Sequence, residues 1–461
     1  MRLLILCPDL IGPRMAAPGA RYHELARVLS RQARVTLASP WPIELELPGV
    51  RRALLTQESA AALVAEADVV LVQGHLTARF PALAQVRVPL IVDLYDPMLL
   101  EGLHLSNERP LASRQYSHER LLALTLQQLH LGDYFLVANR AQRDYYLGML
   151  SAVNRVSPAW AARGEDARRL IGLVPCGIPS APPAPSGILK GVRPGIPADA
   201  SVILWGGGLW DWMDPLTAIR AMARVHAARP EARLILWGTR RPGSTMSDST
   251  MSGSTMSGGE HAPHAVAGEA RRLAAALNLL DRAVFFEEWV PYAERGAWLA
   301  EADLGLSLAK PSLEARFAHR ARLLDCLWAG LPAVASPGDP LAARLVRDGT
   351  GVTVRAGDPD RLAQVLIELL ADPARRAAMR ARIGEVRARH TWERAARPLV
   401  RWLENPRVDE TRGRLDFLGP LASLLSADHR VVGPLVQTGV NLARHGVWDT
   451  LVKASRRVAA R

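Results

Sequence analysis

Short apolar runs alternate with amphipathic helical patterns along most of the chain. In the first half the strand-like runs lie at residues 3–7, 35–38, 69–72, 90–92, 134–137 and 173–174. In the second half they lie at residues 202–205, 233–237, 283–286, 304–308, 333–335 and 351–354. Runs such as VVLV at 69–72 are continuously apolar, as is typical of parallel strands covered on both faces. The alternation predicts an α/β fold with doubly wound sheets, which bind ligands at the carboxyl ends of their strands.

The chain is long enough for two domains of ordinary size, at 461 residues. Prolines and glycines crowd residues 180–197, where APPAPSG is followed by GVRPGIP. This composition is typical of a boundary between domains. We therefore expect one α/β domain on each side of the segment.

The stretch 304–335, LGLSLAKPSLEARFAHRARLLDCLWAGLPAVA, predicts a strand, a loop, a helix from about residue 318 and a second strand. Arg316, Arg320 and Arg322 crowd the start of that helix, where unpaired N–H groups and partial positive charge favour an anion such as phosphate. Asp325 lies one to two turns further on and is placed to accept hydrogen bonds from a sugar or ribose diol. A surface helix with solvated arginines explains the local pattern equally well.

Candidate residues also follow the predicted strands of the first half. Gly12, Gly19 and Arg21 come after the first strand, but without the G-x-G-x-x-G spacing, which disfavours a dehydrogenase. Asp93 and Asp96 follow the run at 90–92 and suit hydrogen bonding to a hydroxyl-rich substrate, or taking a proton from it. The alternative for Asp96 is that it only initiates the turn before the next proline.

Two strands of the second half lead into candidate ligand loops. The run at 202–205 continues into Gly206, Gly207 and Gly208, which let a ligand approach the backbone closely. The run at 233–237 is followed by Arg240. The triplet Asp-Pro-Asp at 358–360 superficially matches a metal-binding Asp-x-Asp motif. Its position before an amphipathic helix favours a helix cap instead, and the sequence offers no other metal ligands.

The net charge of +12 comes almost wholly from arginine. Such an excess fits a partner that carries phosphate: a nucleotide, a nucleic acid or an anionic membrane. Cys7, Cys176 and Cys326 have no metal-ligand or disulfide spacing, which favours a reducing cytoplasm. The opening MRLLILCPDL predicts a strand rather than a signal peptide. No apolar run approaches the roughly 18 residues that a membrane span needs.

Two segments depart from the α/β pattern. Residues 244–258 hold three near-copies of STMSG, whose small polar residues predict a flexible insertion. Between residues 435 and 458, apolar residues recur on one helical face and basic residues surround them. A basic amphipathic helix suits an anionic membrane interface. Packing on the body of the protein or on a second subunit explains the pattern equally well.

Together these features resemble the GT-B glycosyltransferases of the retaining group 1 type, glycosyltransferase family 4. The resemblance covers roughly residues 1–403. It rests on GARYHELARVLS, LVPCGIP, EARLILWG, EADLGLSLAKPS, and LLDCLWAGLPAVAS through RDGTGVTV to TWERAA. It implies two Rossmann-like domains facing across a cleft, with an acceptor domain at 1–185 and a nucleotide-sugar donor domain at 186–390. A crossover helix at 391–405 would return to the first domain, and the basic tail would occupy 406–461.

The resemblance also implies roles for individual residues. The family motif Glu-x7-Glu places Asp325 at its second Glu, which binds the nucleotide ribose, and Phe317 at its first, which lies near the sugar and phosphate. Glu314 is the candidate substitute for that first Glu. Where the family commonly carries Arg and Lys to clamp the diphosphate, this sequence has glycines and then Met213. The candidates to replace that clamp are Arg240, Arg316, Arg320 and Arg322.

The implied reaction moves a sugar from a nucleotide diphosphate-sugar to an acceptor hydroxyl with retention, and it uses no metal or cofactor. The predicted catalytic residues are Asp93, Glu314 and Arg320. The predicted donor-binding residues are Gly206, Gly207, Gly208, Arg240, Arg316, Arg322 and Asp325. The predicted acceptor-binding residues are Gly12, Gly19, Arg21 and Asp96.

The expected partners are a nucleotide-sugar donor and a sugar or lipid-linked acceptor, in the synthesis of cell-envelope or exported polysaccharide or glycolipid. The expected location is the cytoplasm, at the inner face of the membrane. Two alternatives stay open: a nucleotide-sugar epimerase of the same fold, and a catalytically silent binding or scaffold subunit. Nucleic-acid binding is disfavoured because the arginines are widely spread and no reader motif is present.

Overall fold

The computed structural model describes residues 1–104, 110–162, 164, 166–239 and 265–413, and two parallel sheets form its framework. The strands of the first sheet are β1 (Arg2–Leu6), β2 (Arg34–Ser39), β3 (Val50–Leu54), β4 (Val69–Gln73), β5 (Leu90–Asp93), β6 (Tyr134–Val137) and β7 (Ile171–Leu173). They run in the order β3-β2-β1-β4-β5-β6-β7. Almost every residue of β1, β4, β5 and β6 is buried, as expected when helices cover both faces.

Strand β3 is the element of this sheet that the apolar pattern did not predict. Its sequence, VRRAL, is largely exposed because β3 lies at the edge and pairs with β2 alone. The helices of this half are α1 (Ala17–Leu29), α2 (Gln57–Ala65), α3 (Leu76–Arg79), α4 (Pro81–Ala84), α5 (Met98–Glu101), α6 (Leu111–Leu131), α7 (Arg140–Ala152) and α8 (Pro158–Ala161). We call this half the first lobe.

The second lobe is built on the other sheet. Its strands are β8 (Ser201–Trp205), β9 (Ala232–Leu236), β10 (Val284–Phe286), β11 (Leu304–Ser307), β12 (Ala333–Ala335) and β13 (Gly351–Thr353), in the order β10-β9-β8-β11-β12-β13. Its helices are α9 (Pro215–Ala228), α10 (Ala265–Ala276), α11 (Arg295–Ala300), α12 (Ala321–Ala329), α13 (Pro340–Arg347), α14 (Pro359–Ala371) and α15 (Pro373–Arg387). Gly330 ends α12 in the left-handed conformation, with φ of 68°.

The end of the described chain returns to the first lobe as two short helices, α16 (Trp392–Ala395) and α17 (Arg397–Leu403). The single crossover helix predicted at 391–405 is therefore divided, and its second part ends at Leu403. Pro398 lies in the first turn of α17 and has no amide hydrogen to continue the preceding helix. Ile178 donates its backbone N–H to the His390 carbonyl over 2.9 Å, and Trp402 stacks on Tyr134 at 4.8 Å.

The chain from residue 405 to residue 413 then crosses the first lobe next to the segments that lead into β5 and β6. The buried Arg155 donates to the Thr411 hydroxyl over 2.6 Å, and Arg412 donates to Asp133 over 2.8 Å. The backbone N–H of Asp409 also donates to Asp133, over 2.8 Å. This group of contacts, which we call the terminal clasp, fixes the chain as far as Gly413. The repeat at 244–258 and the amphipathic stripe at 435–458 lie outside the described residues, and none of the described helices is long and apolar enough to cross a membrane.

Candidate active site

A cleft lies between the lobes, at the carboxyl ends of strands from both sheets. Its first-lobe wall is formed by segments that follow β1, β5 and β7. Its second-lobe wall is formed by segments that follow β8, β9 and β10 and by the start of α12. The polar and glycine residues that line it are Arg21, Tyr95, Asp96, Glu101, Gly177, Gly206, Gly207, Gly208, Tyr292, Arg295, His319, Arg320, Arg322 and Asp325. Ligand binding at strand exits is what doubly wound sheets favour.

The glycine loop after β8 forms the floor of the second-lobe wall. Gly207 has a φ of 113°, which side-chain-bearing residues rarely adopt. A Cβ atom added to Gly238 would lie 2.9 Å from backbone atoms of Gly207 and Gly208, so two strand exits are in close contact here. Glycine is therefore required for the backbone path, which leaves the loop open to a ligand.

Arg322 lies beside this loop, one residue inside α12. Its Nη2 donates to the Gly208 carbonyl over 2.8 Å, and its guanidinium carbon lies 5.2 Å from the Trp205 ring centre. Its Nη1 atom is buried and has no hydrogen-bond partner among the described residues. Burial lowers the pKa of Arg322 to about 9, with a further contribution from Arg320. The side chain still carries its charge at neutral pH.

Arg320 and Glu314 form a buried ion pair at the start of α12. The Arg320 Nη2 atom lies 2.6 Å from Glu314 Oε2, and its Nε lies 3.8 Å from Asp339 Oδ2. Glu314 is fully buried and is absent from the cleft lining that the described residues define. The carboxylate predicted to replace the first Glu of the motif thus holds Arg320 in place instead of projecting into the cleft.

Asp325 does line the cleft, and an arginine that the sequence analysis did not single out orients it. Arg295 Nε lies 3.7 Å from Asp325 Oδ1. The Arg295 guanidinium covers the Tyr292 ring at 3.6 Å and the Trp328 ring at 4.7 Å. Burial raises the pKa of Asp325. The pairing joins residues 30 positions apart, on α11 and α12, so no local spacing could reveal it.

On the first-lobe wall, Arg21 and Asp93 form a fully buried ion pair. Arg21 Nε donates to Asp93 Oδ2 over 2.7 Å and Nη2 donates to Oδ1 over 3.0 Å, while the Tyr22 hydroxyl donates to Asp93 over 3.2 Å. The Arg21 guanidinium lies 4.4 Å from the Tyr95 ring centre and lines the cleft. Asp93 is not among the described cleft-lining residues, because its carboxylate is turned towards Arg21.

Of the other predicted site residues, only Asp96 lines the cleft, where it accepts a hydrogen bond from Gln73 over 3.2 Å. Burial, with help from Asp93, raises the pKa of Asp96 to about 7. The remaining residues do not line the cleft as far as the described residues define it: Gly12 lies near Glu44, Gly19 allows α1 to pack against the Leu10 carbonyl, and Arg316 is exposed on the loop. Arg240 lies outside the described residues.

Hydrogen bonds tie the two lobes together around the cleft. Asn139 Nδ2 donates to the Phe317 and Ala318 carbonyls over 3.2 and 3.0 Å. The side chain of Gln142 donates to the Phe317 carbonyl over 2.7 Å. Position 317, where the family motif has its first Glu, is thus held through its backbone by the first lobe.

A second set of inter-lobe contacts joins the loop before α1 to the segment after β10. The indole N–H of Trp289 donates to the Met15 carbonyl over 3.0 Å, and the backbone N–H of Tyr292 donates to the Pro13 carbonyl over 2.7 Å. Arg14 donates to the Trp289 carbonyl over 2.8 Å. We call this set the rim contacts.

The possible metal triplet at 358–360 serves as a helix cap. The Asp358 side chain accepts the Arg361 backbone N–H over 2.9 Å at the start of α14, as the sequence favoured. Among the described residues, no group of three or more His, Cys, Asp or Glu side chains is arranged to hold a metal ion. Metal independence of the reaction stays a prediction.

The architecture, with two parallel-sheet lobes facing across a cleft, is the GT-B fold. Sucrose-phosphate synthase from Thermosynechococcus elongatus superposes with a TM-score of 0.61 at 15% identity, over 88% of this chain and 98% of that one. Anabaena HepE in complex with UDP-glucose superposes with a TM-score of 0.57 at 17% identity, over 88% of this chain and 99% of that one. The predicted fold class is confirmed.

Sequence comparison adds information on which GT-B proteins this chain is similar to. Residues 219–401 match the family model described as glycosyl transferase-like. A D-inositol 3-phosphate glycosyltransferase of Thermobispora bispora is 32% identical over 220 residues, which are 47% of this chain and 46% of that protein. A GDP-mannose-dependent monoacylated alpha-(1-6)-phosphatidylinositol monomannoside mannosyltransferase of Corynebacterium glutamicum is 31% identical over 176 residues, 38% of this chain and 39% of that protein. The chain thus spans less than half the length of these relatives. Together with the fold, the matches confirm the resemblance to the group 1 glycosyltransferases.

Proposed function

We propose that this chain transfers a sugar from a nucleoside diphosphate-sugar to an acceptor hydroxyl, with retention of the anomeric configuration. The observation that carries the proposal is the Arg322 guanidinium, whose Nη1 is buried and without a partner among the described residues, beside the open backbone of the glycine loop. A buried cationic donor without an acceptor is costly. A diphosphate bound against the loop would supply the missing acceptor.

The same cations would act on the transition state. As the glycosidic bond breaks, negative charge develops on the leaving diphosphate. Arg322 and Arg320 both line the cleft at the start of the nine-residue helix α12, whose N-terminal dipole has the same sign. Their ion pairs and hydrogen bonds fix them before the reaction, so that no reorganisation is needed as the charge develops.

Asp325 is the proposed ligand of the donor ribose. Its carboxylate lies one turn into α12, lines the cleft and is oriented by Arg295. On the opposite wall, Arg21 and Asp96 are the proposed acceptor contacts. Asp93 would act on the site through Arg21, which it holds by two hydrogen bonds, and this makes Asp93 a positioning residue in the proposal.

The relatives supply the biological setting of the proposal. One is named for D-inositol 3-phosphate and another for a phosphatidylinositol mannoside and GDP-mannose, while the structurally similar HepE was solved with UDP-glucose. By analogy with these proteins, we propose that the donor is a UDP- or GDP-sugar. The acceptor would belong to the synthesis of an envelope glycolipid or polysaccharide. The reaction would take place at the cytoplasmic face of the membrane, which residues 435–458 would contact.

The test combines nucleotide binding with turnover. Purified protein is titrated with UDP and with GDP by calorimetry, and nucleotide release from UDP-glucose and GDP-mannose is followed with and without myo-inositol or phosphatidylinositol. We expect Arg322→Ala to weaken nucleotide binding and to lower acceptor-dependent release about 100- to 1000-fold, as when one oxyanion donor is removed. Arg220→Ala, which removes an exposed arginine on α9, is the matched control and should behave as wild type.

The other outcomes separate the alternatives. A silent scaffold binds neither nucleotide, whereas an epimerase converts a nucleotide-sugar to its isomer without releasing nucleotide in response to acceptor. Equal nucleotide affinity and equal release in Arg322→Ala and Arg220→Ala would remove the site assignment. Product analysis by NMR shows whether the anomeric configuration is retained.

A further inference from the structure

A buried carboxyl group on the first-lobe wall of the cleft has no part in the donor site. Glu101, the last residue of α5, is 8% exposed and lines the cleft. Among the described residues its side chain has no hydrogen-bond or ion-pair partner. The side chain is largely buried while its carboxyl oxygens stay open to the cleft, so the group is placed to bind a ligand there.

Asp96 lies on the same wall, and the two carboxyl groups are close enough to interact. Burial and the neighbouring Asp96 raise the pKa of Glu101 well above its ordinary value. The cations nearest to the pair are already engaged: Arg21 by Asp93 in the first lobe, and Arg320 by Glu314 across the cleft. The wall therefore offers hydrogen-bonding carboxyl oxygens without a free cation nearby.

This arrangement decides between classes of acceptor. Carboxyl groups accept hydrogen bonds from hydroxyl or ammonium groups, and a protonated carboxyl also donates one. A phosphate group would find no unpaired cation among the described residues of this wall, and either carboxyl group would repel it once ionised. The chemistry favours hydroxyl groups and amines and disfavours anions.

We propose that Glu101 and Asp96 form an acceptor subsite that binds the hydroxyl groups of an uncharged or amino-bearing polyol and excludes a phosphorylated ring. The proposal rests on the proposed glycosyltransferase function and adds the class of acceptor. On this proposal, the acceptor of this chain differs from the D-inositol 3-phosphate for which two relatives are named.

The experiment compares three acceptor probes, myo-inositol, glucosamine and D-inositol 3-phosphate, by acceptor-dependent nucleotide release from UDP-glucose and GDP-mannose. Wild-type protein should use myo-inositol or glucosamine with a higher kcat/KM than D-inositol 3-phosphate. Glu101→Ala should lower kcat/KM for the preferred probe about 10- to 100-fold, the range for removing one partner of a buried hydrogen bond. Glu101→Gln keeps the shape of the side chain but cannot ionise, so it should reduce the discrimination against D-inositol 3-phosphate at least about tenfold at alkaline pH, where the wild-type carboxyl group ionises.

Calorimetry with UDP and GDP distinguishes failure of the acceptor-subsite proposal from failure of the proposed glycosyltransferase function. Nucleotide affinity should be the same in wild type, Glu101→Gln and Glu101→Ala, which also shows that the variants fold. Glu119→Gln, at an exposed carboxylate on α6, is the charge-matched control. The subsite is overturned if wild type prefers D-inositol 3-phosphate, if it uses none of the three probes, if Glu119→Gln matches Glu101→Gln, or if the Glu101 variants lose nucleotide binding. Absence of nucleotide binding by wild type would instead overturn the proposed function.

Discussion

At the scale of single residues, the buried pair of Arg21 and Asp93 shows how a residue can belong to a site without facing its ligand. Both side chains are fully buried, and Arg21 reaches the cleft only because Asp93 fixes it from behind. An unpaired charge at this depth would be costly. The pair therefore couples the geometry of the first-lobe wall of the cleft to the stability of that lobe.

Removal of Asp93 tests this coupling. We expect Asp93→Ala to lower the free energy of unfolding by about 3–5 kcal/mol, because it leaves the Arg21 guanidinium buried without its counter-charge. Urea unfolding followed by circular dichroism measures the change. Asp68→Ala, which breaks the exposed pair with Arg2, is the control and should cause a much smaller loss. Equal losses in the two variants would contradict the role assigned to the buried pair.

Asp96 predicts a pH dependence with a definite sign. Burial raises its pKa in the folded protein to about 7, from about 3.9 in an unfolded chain. The folded state therefore holds a proton that the unfolded state has lost, so this contribution to stability is fully present below about pH 4 and is lost as the pH rises through 7. We expect the free energy of unfolding of wild type, relative to Asp96→Asn, to fall between pH 4 and 7. A difference that is constant over this interval would contradict the shift.

At the scale of elements, the start of α7 serves both a helix and the junction of the lobes. Asn139 Oδ1 accepts the Gln142 backbone N–H over 2.9 Å as an N-cap, while Nδ2 donates to carbonyls of the second lobe. The two functions use different atoms of one side chain. A substitution can therefore separate them.

Asn139→Asp keeps the capping oxygen and replaces the donor with a carboxylate that faces the Phe317 and Ala318 carbonyls. Since Asp caps helices as well as Asn does, we expect α7 to stay intact while the loop at 317–320 loosens. Hydrogen exchange measured by mass spectrometry should show faster exchange in this loop. Thr56→Ala, which removes the cap of α2 far from the cleft, controls for cap loss alone. Unchanged exchange at 317–320 in Asn139→Asp would show that the bridge does not hold the loop.

Helix α12 also shows what local sequence can and cannot predict. Its apolar spacing, its glycine stop and the arginines at its start were evident from the sequence, and parallel strand exits share one edge, so the glycine loop, Arg322 and Asp325 were expected to meet. The direction of each side chain was not predictable. Glu314 turns inward to Arg320 and Asp325 pairs with Arg295, because these choices depend on neighbours brought together by folding.

At the scale of the whole molecule, the doubly wound framework could be predicted from the alternation of buried strands and helices. The edge strand and the long-range contacts that join the lobes and the chain end could not. The edge strand β3 is polar, and the inter-lobe hydrogen bonds of Asn139 and Gln142 join residues more than 170 positions apart. Periodicity reports which face of an element is buried but not what covers it. The terminal clasp joins Arg155 to residues about 250 positions later, and it could not be predicted from local sequence patterns either.

The terminal clasp predicts a difference between two truncations. A chain that ends at Asn405 loses the Thr411 and Asp409 partners of the buried Arg155 and the Arg412 partner of Asp133, whereas a chain that ends at Gly413 keeps them. We expect the shorter chain to be less stable than the longer one by about 3–5 kcal/mol, since it leaves buried charges unpaired. Thermal and urea unfolding of both proteins measure the difference. Equal stability would show that residues 406–413 add nothing to the first lobe.

The rim contacts affect how hybrid proteins can be made from this chain and a relative. Trp289 and Tyr292 donate hydrogen bonds to the backbone carbonyls of Met15 and Pro13. A second lobe taken from a relative would therefore have to pack against the loop at 13–15 of this chain. We expect a chimera joined in the 180–197 linker to work better when residues 13–15 are taken from the same parent as the new lobe. The test compares the turnover of two chimeras that differ only in the parent that supplies residues 13–15. Equal turnover would show that a junction in the linker is sufficient.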